Sequence, residues 1–171
     1  LLYLLAGGRE LAGVTREISR RDYDAQLVLS EALKPIDGHF DYAVIDTGPG
    51  YSPMSINVLF YASEIVVPIS METLAVYGYL EFLGELEPIS KRSGANVRYL
   101  LPTMADHRKG LTEDILQQLR DRFPDTVCEP ISYAARFSEL PRIGETIYEN
   151  EARNRAAIDY AKFTNKVVLD E

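Results

Sequence analysis

The sequence predicts an α/β fold, a mostly parallel sheet with helices on both faces, formed as a single domain over residues 1–171. Short apolar segments alternate along the chain with helix-length segments, an order typical of βαβ units. The apolar segments are continuous, as in strands buried on both faces. A chain of 171 residues, 46% of them hydrophobic, is long enough to bury one sizeable core.

Each predicted element follows from its hydrophobic pattern. Short apolar runs predict strands at 1–5, 41–46, 64–69, 97–102 and 126–131. Apolar residues spaced three and four apart predict helices at 22–34, 53–61, 74–92, 111–123 and 153–168. The fourth helix shows the clearest stripe: Leu111, Ile115, Leu116, Leu119 and Phe123. No internal repeat or linker divides the chain, which supports one domain.

Composition excludes several classes of protein. A net charge of −8 argues against a protein whose whole surface binds nucleic acid, although a local basic patch stays possible. No apolar run approaches the roughly 18 residues of a membrane span. The single cysteine, Cys128, excludes an internal disulfide. We therefore expect a cytoplasmic protein with no membrane contact.

Residues 40–50 are the most informative segment of the chain. The apolar run Tyr42–Ile45 ends at Asp46, which opens a loop rich in Gly and Pro. An acid at the carboxyl end of a buried parallel strand lies where open α/β sheets bind ligands. In P-loop nucleotide hydrolases an acid in this position helps to organise Mg²⁺. The alternative is a strand that ends in Asp before an ordinary turn.

This segment and the residues on its carboxyl side resemble the ParA/MinD group of deviant Walker ATPases, most closely the ParA/Soj chromosome- and plasmid-partition branch. The resemblance runs from about residue 1 to about residue 168, and it depends on the order and spacing of several pieces together. Those pieces are Asp46–Pro49, Ser55–Asn57, Glu64–Ile69, Leu101–Arg108, Arg136–Pro141 and Gly144–Tyr160. The resemblance implies a P-loop NTPase-like fold.

The family's phosphate-binding loop is missing from this sequence. No Gly-Lys-Ser/Thr occurs, so the lysine that binds the β- and γ-phosphates is absent. The segment Gly8–Thr15 imitates the spacing, but Val14 takes the place of that lysine. The resemblance aligns Leu11–Gly13 after the P-loop, so we expect the first strand and the P-loop helix to lie upstream. ATP hydrolysis is then expected of the complete protein and not of this chain alone.

The resemblance implies ATP and Mg²⁺ as cofactors and assigns residues to them. Asp46 would bind Mg²⁺ through water and would be the catalytic residue of this chain. Gly48 departs from the family's Pro; it allows close backbone approach to a ligand, or simply serves a turn. Ser132 also replaces a usual Pro, which puts its contact with the base in doubt. The full set of nucleotide-binding positions is Asp46, Thr47, Gly48, Pro49, Thr103, Met104, Ser132 and Tyr133.

Two arginines fall where Soj-type proteins carry DNA-binding arginines: Arg108 and Arg136. The planar guanidinium binds phosphate in a bidentate way, which suits this role. The alternative is a pair of surface arginines in weak ion pairs. By resemblance, ATP would close a homodimer that binds non-specific DNA at the nucleoid, and a ParB-like protein would stimulate hydrolysis.

Two other functions stay open. One is a relative that positions other cargo, such as a MinD-like, flagellar-placement or cellulose-synthesis ATPase. The acidic end at Lys166–Glu171 does not fit the basic membrane helix of MinD-type proteins. The other is a truncated, non-catalytic relative that acts as a binding scaffold.

Overall fold

The computed structural model describes residues 2–9, 11–48 and 50–170, and these group into two compact units. The first unit comprises Leu1–Glu64 and Leu86–Asn96, and the second comprises Ile65–Glu85 and Val97–Glu171. The prediction of a single domain over residues 1–171 stays a prediction.

The elements alternate between helix and strand, as the sequence predicts. The helices are α1 (Leu11–Ile18), α2 (Val28–Leu33), α3 (Pro53–Tyr61), α4 (Thr73–Ser93), α5 (Gly110–Arg122), α6 (Leu140–Ile143), α7 (Ile147–Glu151) and α8 (Arg155–Leu169). The strands are β1 (Glu64–Ser70) and β2 (Asn96–Thr103), and 3₁₀ turns span Ala25–Leu27, Lys34–Ile36 and Ala135–Ser138. The α/β class with a parallel sheet is confirmed.

The second unit carries helices on both faces of its sheet. Strands β1 and β2 are neighbours, and α4 follows β1 and precedes β2. Successive residues of β2 point to opposite faces, so Leu100 packs in a cluster with residues of α4 and α5. Tyr99 and Leu101 pack in a second cluster with Cys128 and Ala156, the latter on α8. The predicted layers are therefore present, and Cys128 lies in the core between them.

The predicted strand at 126–131 is interrupted. Parallel bridges join Leu100 to Val127 and Ala105 to Ser132, both with an offset of 27 residues, but no continuous strand forms between them. Pro102 and Pro130 lie between these bridges at positions where the ladder needs N–H donors, and proline has none. The segment keeps its register beside β2 and loses its regular hydrogen bonds.

The predicted strands at 1–5 and 41–46 are wrong for the described residues. Residues 2–8 and 42–48 form no strand, and Val44 is 95% exposed. A strand needs a hydrogen-bonded neighbour, and in the described part of the chain no backbone ladder reaches these segments. Tyr3, in the first of these segments, makes an edge-to-face contact with Phe40, just before the second, with ring centroids 5.4 Å apart.

The helix predicted at 22–34 is shorter and divided. Asp24 has a φ of 53°, which prevents a helix from starting before residue 25, and the segment continues as a 3₁₀ turn, α2 and a second 3₁₀ turn. Helix α1 was not predicted. It places residues 11–15 in helical turns, so the P-loop spacing at Gly8–Thr15 does not form a phosphate-binding loop.

The first unit is organised around a buried asparagine on α3. Ser52 and Ser55 form a capping box, and Pro53 starts the helix. Asn57 is 1% exposed; its side-chain amide donates to the carbonyls of Ala25 (2.8 Å) and Pro53 (2.9 Å). Its Oδ1 accepts the N–H of Leu29 at 3.0 Å. One side chain thus ties α3 to the 25–29 segment.

Among the residues that the structure describes, no helix combines the length and the apolar character needed to cross a bilayer.

Candidate functional site

The bridge between Ala105 and Ser132 brings two predicted groups of site residues together. The N–H of Ala105 donates to the carbonyl of Ile131 (3.0 Å), and the N–H of Tyr133 donates to the carbonyl of Ala105 (2.9 Å). Because the pairing is parallel, β2 and the segment at 127–132 end at the same edge of the sheet. Open α/β sheets bind ligands at this edge. The residues predicted to contact the base meet there: Thr103, Met104, Ser132 and Tyr133.

Met104 has an unusual backbone at this edge. Its φ is 56°, in the left-handed region that non-glycine residues rarely adopt, and its side chain is 65% exposed. Thr103 just before it donates its hydroxyl to the carbonyl of Ile69 at 3.3 Å, which ties the end of β2 to β1. Tyr133 is also exposed. Strained residues of this kind concentrate at ligand sites, so the edge has the features of a binding surface.

Ser132 is hydrogen-bonded to Asp159, a partner that the sequence did not identify. Its backbone N–H and its hydroxyl both donate to Oδ2 of Asp159 on α8, at 3.0 Å and 2.6 Å. Ser132 is buried, so its side chain anchors the edge and leaves the exposed surface to Met104 and Tyr133. The resemblance implies a proline at this position, and a serine adds a hydroxyl and a backbone N–H that both need an acceptor, which is the signal that the sequence offered.

Arg108 lies in the loop between β2 and α5, beside Asp106. Its Nε and Nη2 donate to the two carboxylate oxygens of Asp106, at 2.8 Å and 2.9 Å, and its backbone N–H donates to Oδ1 at 3.2 Å. The Arg108 side chain is 85% exposed. The hydrogen bonds from Arg108 lower the pKa of Asp106 to about 2, and they raise the pKa of Arg108.

Arg108→Ala is expected to raise the pKa of Asp106 from about 2 towards its ordinary value near 3.8, because the Arg108 hydrogen bonds are the main cause of the low value. A carboxyl pKa that is lower in the folded state stabilises the fold above the unfolded pKa, and this stabilisation is lost as the pH falls towards 2. A carbon-detected NMR titration of the Asp106 carboxyl in both proteins measures the shift. Identical titration curves would contradict this pairing.

Arg136 lies in the 3₁₀ turn Ala135–Ser138 and is held by three groups. Its Nε donates to Oδ1 of Asn150 (3.0 Å) and lies 3.8 Å from Oε1 of Glu151, and its Nη1 donates to Oε2 of Glu139. Asn150 in turn donates to Glu145. The Arg136 side chain is 38% exposed, less than half the value for Arg108. Its guanidinium therefore joins the turn to α7 as well as facing solvent.

The segment predicted to bind Mg²⁺ lies in the first unit. Asp46, Thr47 and Gly48 are exposed and outside any helix or strand, and Pro49 lies outside the described residues. A carboxylate and a hydroxyl are oxygen donors of the kind that Mg²⁺ prefers, so these side chains fit the ion. Within the described part of the chain, no three His, Cys, Asp or Glu residues cluster as a metal site. Mg²⁺ usually keeps several waters and is held by one or two carboxylates together with substrate phosphates.

Residues 1–99 match the AAA domain family AAA_31. Over 171 aligned residues the chain is 32% identical to the chromosome-partitioning ATPase Soj of Thermus thermophilus, with 97% of this chain and 66% of the relative covered. It is 28% identical to the sporulation initiation inhibitor protein Soj of Bacillus subtilis, with 83% and 57% covered. The chain thus spans about two thirds or less of the length of these relatives.

Solved structures show the same fold. Cobyrinic acid a,c-diamide synthase from Mycobacterium smegmatis, solved with ADP and magnesium, superposes with a TM-score of 0.74 at 25% identity, covering 93% of this chain and 58% of that one. McdA from Cyanothece, in a complex with ATP, superposes with a TM-score of 0.68 at 18% identity, covering 88% and 60%. These likenesses place the sheet and its helices in the P-loop NTPase-like class.

Proposed function

Because the chain belongs to the ParA family of chromosome-partitioning ATPases, we propose that it is part of an enzyme that binds ATP with Mg²⁺, dimerises and binds non-specific DNA. The observation that carries the proposal is the shared edge made by the Ala105–Ser132 bridge. Arg108 follows Ala105 by three residues and Arg136 follows Ser132 by four, so both arginines lie in segments that extend from this edge of the sheet. The exposed base-binding candidates Met104 and Tyr133 lie on it too.

In this proposal two groups of residues bind the nucleotide. Thr103, Met104, Ser132 and Tyr133 provide the base surface, with Met104 and Tyr133 exposed and Ser132 holding the edge in place through Asp159. Asp46 binds Mg²⁺ through water, and Thr47, Gly48 and Pro49 shape the loop around the phosphates. When bound, ATP supplies the phosphoryl group that is transferred to water, and Mg²⁺ supplies the positive charge that stabilises the transfer.

Arg108 and Arg136 bind the DNA backbone in this proposal. An arginine fork matches a phosphate group, and contacts to phosphates carry no sequence information, which suits non-specific DNA. The net charge of −8 leaves such binding to local groups, and a dimer doubles the number of contacts. A ParB-like protein would stimulate hydrolysis and so release the DNA, and the protein would act in the cytoplasm, on the nucleoid. Hydrolysis itself is proposed for the complete protein, because this chain carries no Gly-Lys-Ser/Thr.

Arg108→Ala and Arg136→Ala are each expected to weaken binding to a random-sequence duplex by about tenfold, because each removes a charged hydrogen-bonding contact to phosphate. Each is also expected to reduce the slope of log affinity against log salt by about one. Fluorescence anisotropy with the labelled duplex, with and without ATP and Mg²⁺, measures both. Arg120→Ala is the control, because Arg120 is paired with Glu129 at 3.0 Å and has no part in the proposal. Equal affinity in all four proteins would contradict the DNA assignment.

A further inference from the structure

Both arginines assigned to DNA are already bound by carboxylates of their own chain. Asp106 receives two parallel hydrogen bonds from the guanidinium of Arg108, the geometry that a phosphate would otherwise adopt. Glu139 receives a hydrogen bond from Nη1 of Arg136. Two different acids, on two different loops, therefore occupy the groups that would contact DNA.

The two carboxylates are placed so that they can leave. The Arg108 side chain is 85% exposed and Asp106 18%, whereas Arg136 is 38% exposed and Glu139 59%. Each pair therefore has one member that water and salt reach, which weakens the pair, and the bidentate geometry makes Arg108–Asp106 the stronger of the two. Asp106 and Arg108 are two residues apart, and Glu139 and Arg136 are three apart, so either pair can open with a change of side-chain rotamer alone. The backbone at this edge need not move.

Arg136 has further contacts that would persist when Glu139 leaves. Its Nε donates to Asn150 at 3.0 Å, on a different nitrogen from the one that binds Glu139. Asn150 is held in turn by Glu145 at 2.6 Å. The guanidinium is therefore kept in place while its Nη1 changes partner.

We propose that Asp106 and Glu139 act as internal phosphate mimics, so that DNA binds this chain by exchanging its phosphates for these two carboxylates on Arg108 and Arg136. This rests on the proposed function, since it needs both arginines to contact DNA. The exchange lowers the affinity for DNA, because each contact forms only after an ion pair has opened. It also makes the affinity less dependent on salt. Each DNA phosphate releases a bound cation when it contacts an arginine, and each displaced carboxylate takes up a cation from solution, so fewer cations are released in total.

The test neutralises the two acids without changing their shape. Asp106→Asn and Glu139→Gln are each expected to tighten binding to the random-sequence duplex about threefold, and the double variant about tenfold, the range expected for releasing exposed ion pairs. The salt slope is expected to become steeper by up to about one for each arginine released. Asparagine keeps an oxygen for the N–H of Arg108, so the loop keeps its backbone bond.

Glu129→Gln is the matched control. It makes the same change in net charge as each single variant, half that of the double variant, and it also releases Arg120, which has no part in the proposal. Its affinity is expected to equal that of the unmodified chain. In the Arg108→Ala background, Asp106→Asn is expected to have no effect, because the group that it releases is absent.

The outcomes separate the two proposals. If Arg108→Ala and Arg136→Ala weaken binding but the double neutral variant binds no tighter than Glu129→Gln, the exchange is wrong and the DNA assignment stands. If the gain persists after both arginines are removed, it comes from bulk charge and the exchange is wrong; the DNA assignment is wrong as well only if Arg108→Ala and Arg136→Ala leave the affinity unchanged. If the unmodified chain binds too weakly to measure and the double variant binds through its arginines, the exchange is supported. Failure of every variant to bind overturns both.

Discussion

Asn57→Ala is expected to lower the free energy of unfolding by about 2–4 kcal/mol, because it removes three hydrogen bonds from half-buried backbone groups. Asn57 satisfies the N–H of Leu29 and the carbonyls of Ala25 and Pro53 at the same time. The side chain is 1% exposed, so water cannot replace these bonds without local opening. Urea unfolding followed by circular dichroism measures the loss.

Two further variants make this expectation specific. Asn165→Ala is the matched control: the same substitution at an exposed position of α8, where alanine suits a helix and a change near zero is expected. Asn57→Asp keeps the acceptor for Leu29 but loses both donors and buries a charge, so it is expected to be at least as harmful as alanine. If Asn57→Ala were no more destabilising than Asn165→Ala, the contact between α3 and the 25–29 segment would not stabilise the first unit.

The sequence predicted best where local signals and packing agree. Helix α3 begins and ends where predicted, because Ser52 caps it and Pro53 fits its first turn. The apolar runs predicted strands β1 and β2, and both predictions are correct because each strand has a neighbour to pair with. The run at 41–46 is also apolar and forms no strand, since hydrophobicity alone does not supply a hydrogen-bonded partner.

Short elements were missed because they are shorter than the periodicity that reveals a helix. Helices α6 and α7 have four and five residues. A capping box between Thr146 and Glu149 starts α7, and this spacing of a threonine and a glutamate three residues later is visible in the sequence. The interruption at 126–131 was also visible, as Glu129-Pro130, but its effect depends on Pro102 in the neighbouring strand.

The candidate site was predicted in part. Its residue types were identified by resemblance, and the structure brings the base-binding candidates to one edge through a pairing of residues 27 positions apart. The partners of these residues were not identified. Asp106 and Glu139 lie close to Arg108 and Arg136 in sequence, but an acid near an arginine is too common to indicate a pair. Asp159 is separated from Ser132 by a long stretch of chain, so only folding reveals it.

Asp159→Ala is expected to lower the free energy of unfolding of the second unit by about 2–4 kcal/mol, because two hydrogen bonds to a charged oxygen are lost and Ser132 is left buried with two unpaired donors. Urea unfolding by circular dichroism measures this loss too. Amide hydrogen exchange at Tyr133 reports locally, because its N–H bond to Ala105 follows the anchored residue.

A graded series distinguishes this anchor from general damage to α8. Asp159→Asn is expected to be milder than alanine, because both bonds reach one oxygen, Oδ2, and an amide oxygen can accept both without the charge. Ser132→Ala removes the hydroxyl bond and keeps the N–H bond, so about 1 kcal/mol is expected. Equal losses for Asp159→Ala and Asp159→Asn would contradict the anchor. With the expected order, the edge that carries Met104 and Tyr133 is held by Asp159 through Ser132.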